Sequence, residues 1–143
     1  MTGTDVQTLL RRAVQTSDPK VMREAFDRLI DRGPDALSPD AEYQTRHEDY
    51  VMEMPQSGER VRDRDAMRSM QENFPTPPTI SVKRVMGANT TWVLEGVNDY
   101  GGDIWHVVVI VELDPEGRIL RDTRYYAKPF DPPDWRAEWV EQM

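Results

Sequence analysis

Apolar residues at Val6, Leu9, Leu10, Ala13 and Val14 recur at the spacing of one helical face, which predicts an amphipathic helix from Asp5 to Thr16. Ser17-Asp18-Pro19 then supplies a cap residue followed by proline in the first helical position. Val21, Met22, Ala25, Phe26, Leu29 and Ile30 form the stripe of a second helix, which Gly33-Pro34 ends. Ser38-Pro39-Asp40 repeats the start signal for a shorter helix reaching about His47. At Tyr50 the period changes to two. Tyr50-Val51-Met52-Glu53-Met54 alternates as a strand does, and Pro55 with Gln56-Ser57-Gly58 closes it. Asp63 then caps a helix carrying Ala66, Met67, Met70 and Phe74, which the prolines at 75, 77 and 78 terminate.

The second half is a run of β-branched and aromatic residues cut by turns. Thr79 to Val85 opens the sheet, Thr91 to Asn98 follows, and Asp99-Tyr100-Gly101-Gly102-Asp103 turns the chain into Ile104 to Leu113. Asp114-Pro115-Glu116-Gly117 then leads to a strand from Arg118 to Tyr126. This pattern predicts a strongly curved antiparallel meander with helices in front. On the strand from Ile104, alternation places Trp105, Val107, Val109, Val111 and Leu113 on one face and leaves Ile104, Val108 and Ile110 on the other. A solvated face is more polar than that, so a homodimer through the sheet is expected. Beyond Tyr126, Lys128-Pro129-Phe130-Asp131-Pro132-Pro133 is extended, because its prolines do not join a ladder. A final helical turn from Asp134 presents Trp135 and Trp139 to dock the tail onto the domain or a partner subunit.

Composition narrows the function classes. The 143 residues fit one domain spanning 1–143, with a core at about 18–130 and a Pro/Trp tail at 128–143. A net charge of −8 argues against nucleic acid and against an anionic membrane surface. The absence of cysteine removes disulfides, thiolate nucleophiles and cysteine metal sites, and suits a reducing cytoplasm. No apolar run reaches the roughly 18–20 residues of a membrane span, and Met1-Thr-Gly-Thr-Asp-Val lacks the basic and apolar regions of a signal peptide. A cytoplasmic protein is therefore expected. His106 falls on the face opposite Trp105, and His47 sits at a helix end. Two histidines so placed make a poor metal case, and no cofactor is expected. Met52, Met54, Met67, Met70 and Met86 read as core.

Three local patterns carry a family resemblance: Val51-Met52-Glu53-Met54-Pro55, Asp114-Pro115-Glu116-Gly117-Arg118-Ile119, and Arg121-Asp122-Thr123-Arg124-Tyr125-Tyr126. With helices first and the meander last, the chain resembles the SnoaL-like, ketosteroid-isomerase-like families of the nuclear transport factor two-like superfamily. The resemblance implies an α+β cone, in which a curved antiparallel sheet wraps around N-terminal helices and encloses a deep cavity. It also implies pairing of two copies through the outer face of the sheet.

The chemistries of such families are tested by residue type. The ketosteroid isomerase base would fall on Met54 and its oxyanion donors on Phe26 and Val109; none of the three performs proton transfer or hydrogen-bonds an enolate. Limonene-epoxide-hydrolase-like relatives use an Asp-Arg-Asp set. Here Asp122 matches one carboxylate, while the other two positions fall on Gly96 and Asn98, so only Asn98 is left to orient a water. Polyketide-cyclase-like relatives use one inward carboxylate. Alternation places Leu120, Asp122, Arg124 and Tyr126 on one face, so Asp122 is the candidate base and Arg124 or Tyr126 the oxyanion donor, with Trp92, Leu94 and Phe26 as apolar walls. Against this, Asp and Arg two apart on a strand form a local ion pair, which lowers a carboxylate's pKa by roughly 1–3 units and weakens a base. Two functions follow: an acid–base enzyme acting on a hydrophobic carbonyl or hydroxylated substrate, or a non-catalytic module that binds a small hydrophobic ligand or another subunit.

Overall fold

The computed structural model describes residues 5–143, so the leader reading at Met1-Thr-Gly-Thr lies outside the described residues. Helix α1 (Val6–Thr16) buries all five apolar positions of its predicted face. Helix α2 (Pro19–Ile30) starts where Asp18 accepts a hydrogen bond from the Lys20 amide, with proline in the first turn, and buries Met22, Ala25 and Phe26. Helix α3 (Pro39–Gln44) is capped by Ser38 and helix α4 (Arg64–Glu72) by Asp63. The strands are β1 (Arg46–Met54), β2 (Glu59–Val61), β3 (Thr79–Ala88), β4 (Thr91–Tyr100), β5 (Asp103–Leu113) and β6 (Ile119–Ala127). A 3-10 turn at Asp134–Trp139 ends the chain.

The six strands form one sheet in the order β2-β1-β6-β5-β4-β3. The meander from β3 to β6 is antiparallel as expected, whereas β1 lies parallel to β6. That pairing is possible because four strands and a helix separate β1 from β6 in the chain, long enough to return in the same direction. Among the described residues, no helix is long and apolar enough to cross a membrane.

Two register shifts change which side chains face the helices. Opposite Leu113, the ladder skips from Arg121 to Ile119, leaving Leu120 unpaired, so Ile119 rather than Leu120 joins the inner face. In β3 the shift between Val82 and Arg84 leaves Lys83 unpaired; Val82 and Val85 pack on the core, and Met86 is 44% exposed. Met86, and Met70 of α4 at 37% exposed, depart from the core reading. The third helix is also shorter than expected and the first strand longer, which places His47 in β1. There its Nδ1 accepts the Asp49 amide at 2.9 Å instead of meeting helix carbonyls.

Candidate functional site

Between α2 and the concave face of β4, β5 and β6 lies a cavity of about 170 Å³. Phe26, Leu29 and Ile30 of α2 form one wall. Leu94 and Asn98 of β4, Val107, Val109 and Val111 of β5, and Asp122, Arg124 and Tyr126 of β6 form the other. The β6 side chains arrive together because period-two alternation resumes after Leu120, pairing Asp122 with Val111, Arg124 with Val109 and Tyr126 with Val107.

Asp122 is only 5% exposed. Its Oδ1 accepts the Arg124 Nε–H at 2.7 Å, and its Oδ2 accepts the Tyr50 hydroxyl at 2.6 Å. Tyr50 reaches it from β1, which the parallel pairing lays beside β6 with Met52 opposite Asp122. Burial first, then the Asp122 charge, pushes the Tyr50 phenol far above its ordinary value, so it stays a neutral donor. Burial draws the Arg124 guanidinium downward, but the Asp122 charge outweighs it and the net shift is upward, so the guanidinium stays charged.

A second polar group closes the cavity at Arg32, Glu42, Arg46 and Gln71. Glu42 Oε1 alone receives Gln71 Nε2 at 3.1 Å, Arg32 Nη2 at 3.3 Å and Arg46 Nη2 at 3.5 Å. The Arg46 guanidinium lies 5.2 Å from the centre of the Tyr50 ring, linking this group to the Asp122 pair. The same four residues face an outer hollow of about 250 Å³ beside Leu37, Tyr43 and Arg68.

Of the nine residues singled out from the sequence, seven line the cavity: Phe26, Leu94, Asn98, Val109, Asp122, Arg124 and Tyr126. Two are corrected. Trp92 is fully buried in the core cluster, where its Nε1–H donates to the Asn89 carbonyl at 2.9 Å, so it is core and not a cavity wall. Met54 is half-buried against the core near the β1–β2 turn, and it too is absent from the lining. Tyr50, Arg46, Glu42 and Arg32 were missed: Tyr50 reads as an ordinary strand position, and Arg46 falls in what looks like a helix end. Only the alternation of Arg46 and Tyr50 with Met52, extended four residues upstream, carried a signal. Among the described residues, no cluster of His, Asp or Glu is arranged to hold a metal ion.

Similarity searches find this architecture among solved structures. An NTF-2 like protein of unknown function from Burkholderia xenovorans is 26% identical, with a TM-score of 0.66 over 96% of this chain and 92% of that one. A Kribbella flavida protein provisionally assigned as a ketosteroid isomerase superposes with a TM-score of 0.75 at 22% identity, over 94% of this chain and 90% of that one. The chain has the nuclear transport factor two-like fold. This fold also occurs in a hypothetical protein from Catenulispora acidiphila with a ketosteroid isomerase-like fold, solved in complex with trimethylamine. It is 12% identical, with a TM-score of 0.54 and 88% of each chain covered. No protein-family model matches the chain, and no curated protein does. Nothing in these likenesses separates the SnoaL-like branch from its sisters within the fold.

Proposed function

We propose that the chain binds a compact, largely apolar molecule in the cavity and that Arg124 presents a donor to an oxygen of that ligand. The observation that carries this reading is the double engagement of Asp122. A carboxylate held by a phenol from β1 and a guanidinium on its own strand is a fixed orienting group, and Arg124 Nη1 takes no part in the pair. Size agrees, since an apolar cavity of about 150 Å³ accommodates benzene. A steroid is far larger, and the positions that would carry steroid isomerase chemistry hold Met54, Phe26 and Val109.

A second reading, acid–base catalysis by Asp122, is favoured by one observation: the carboxylate itself lines the cavity, and its Oδ1, which takes one donor, has a second acceptor site. Pairing of two copies through the outer face of the sheet belongs to the same proposal. Calorimetry with single-ring ketones and phenols tests the binding reading. Arg124→Met is expected to weaken the best of them about tenfold, the scale of one charge-assisted hydrogen bond. Equal affinity in the variant removes Arg124 from the assignment. Turnover of an enolisable ketone that disappears in Asp122→Asn, with affinity retained, would favour catalysis instead.

A further inference from the structure

We infer that the cavity's ligand is a compact monocarboxylate, with its apolar body against Leu29, Val109 and Ile119 and its anionic group at the junction of Arg32 and Arg46. The inference rests on the cavity binding proposed above, not on the Arg124 contact, and adds the charge class of the ligand.

Charge is the first observation. The cavity is lined by three cations, Arg32, Arg46 and Arg124, against two anions, Glu42 and Asp122, in a protein whose net charge is −8. At the floor Asp122 and Arg124 match one to one. The unmatched charge therefore lies in the second polar group, where both Arg32 and Arg46 lean on a single oxygen of Glu42.

Burial is the second. Arg46 is 6% exposed, yet its Nε is buried without a hydrogen-bond partner among the described residues. A guanidinium donor hidden from water and left unpaired is costly, and an incoming carboxylate oxygen satisfies it while supplying the missing negative charge. Arg32, by contrast, has a side chain 46% exposed, held by Nη1 donating to the Leu29 and Asp31 carbonyls at 2.9 and 3.2 Å and by Nη2 at Glu42.

Geometry is the third. Arg32 and Arg46 face both the inner cavity and the outer hollow, so a carboxylate at their junction leaves its apolar body on the inner, aliphatic side. A compact amine such as the trimethylamine of the Catenulispora neighbour would meet the surplus cation there and be repelled.

Benzoate and benzamide, nearly equal in shape and different in charge, test this by calorimetry on the full chain at neutral pH and low salt. Wild type is expected to prefer benzoate by about tenfold or more, as one desolvated charge-assisted contact implies. That preference should fall below about threefold in Arg32→Met and in Arg46→Met, with circular dichroism confirming the fold. If Arg46→Met does not fold, the more exposed Arg32→Met still decides. Equal binding of the two probes to wild type overturns the charge inference and leaves the binding reading standing, whereas no binding of either overturns both. A benzoate preference that survives in every folded variant overturns the assigned junction. Displacement of benzoate by equimolar inorganic phosphate would show a bare anion site and also overturn the monocarboxylate.

Discussion

Asp122 and Tyr50 touch across two parallel strands, and removing either end leaves the other buried, with unequal consequences. In Tyr50→Phe a neutral donor is lost but Arg124 still balances the carboxylate; the expected cost is about 1.5–3 kcal/mol, the range for a hydrogen bond to a charged group. In Asp122→Asn the Arg124 charge loses its partner, and urea denaturation is expected to show a larger loss of about 3 kcal/mol, near the low end for a broken buried pair because Arg124 keeps some solvent. Equal losses in the two variants would mean that the ion pair contributes nothing beyond the phenol's bond. Tyr50 also makes an alkaline prediction. Its folded pKa is raised above the unfolded value of 10.0, so its contribution is complete below pH 10 and declines as pH rises further, because only the unfolded chain releases the proton. The fall in stability between about pH 10 and 12 should be shallower in Tyr50→Phe than in wild type. At this scale the sequence was partly legible. A period of two was enough to gather Asp122, Arg124 and Tyr126, but it said nothing of Tyr50, whose role depends on a parallel neighbour that only the three-dimensional return of the chain supplies.

Helices and turns were legible because their signals are local. The caps at Asp18, Ser38 and Asp63 and the apolar face of α1 all form where the residues specify them. Bulges were not, because an unpaired residue such as Leu120 or Lys83 is set by the partner strand and leaves no local mark. The turn before β6 is where local chemistry and packing meet. Asp114 Oδ1 accepts the amides of Glu116 and Arg118, both at 2.9 Å, and Gly117 takes φ +83°, a conformation that costs glycine little. A Cβ at Gly117 would stand 2.5 Å from the Arg11 amide nitrogen of α1, so the turn and the first helix are fitted to each other through that missing atom. Gly117→Ala should therefore destabilise by about 2–3 kcal/mol, combining backbone strain with overpacking. Amide exchange in α1 should rise with it, and an unaltered α1 would show that the helix yields without cost.

For the molecule as a whole, the same alternation that turns Asp122 and Val109 inward turns Val108 and Tyr125 outward, paired with each other across β5 and β6. Val93, Ile110 and Met86 extend this patch across the convex face, with Val108 36% and Tyr125 42% exposed. The tail does not cover it: Trp135 and Trp139 are each 73% exposed, so of the two docking surfaces expected, their own domain or a partner subunit, their own domain does not hold them. Charges sit around the patch as ion pairs, such as Arg84 with Glu95 at 2.7 Å, so the apolar centre is rimmed much as a subunit interface is. Pairing of two copies across this face remains our proposal, and it predicts that sedimentation reports twice the chain mass of 16.6 kDa. Val108→Glu tests it, because the new carboxylate would stand opposite Glu95 on the neighbouring strand and meet its counterpart in the other copy. The variant should sediment as a monomer yet bind benzoate as wild type does, since Val108 points away from the cavity and the two faces of one sheet are separate surfaces. A wild-type chain that is monomeric at high concentration would refute the pairing. A dimer that persists in Val108→Glu would move the interface to the exposed tryptophans of the tail.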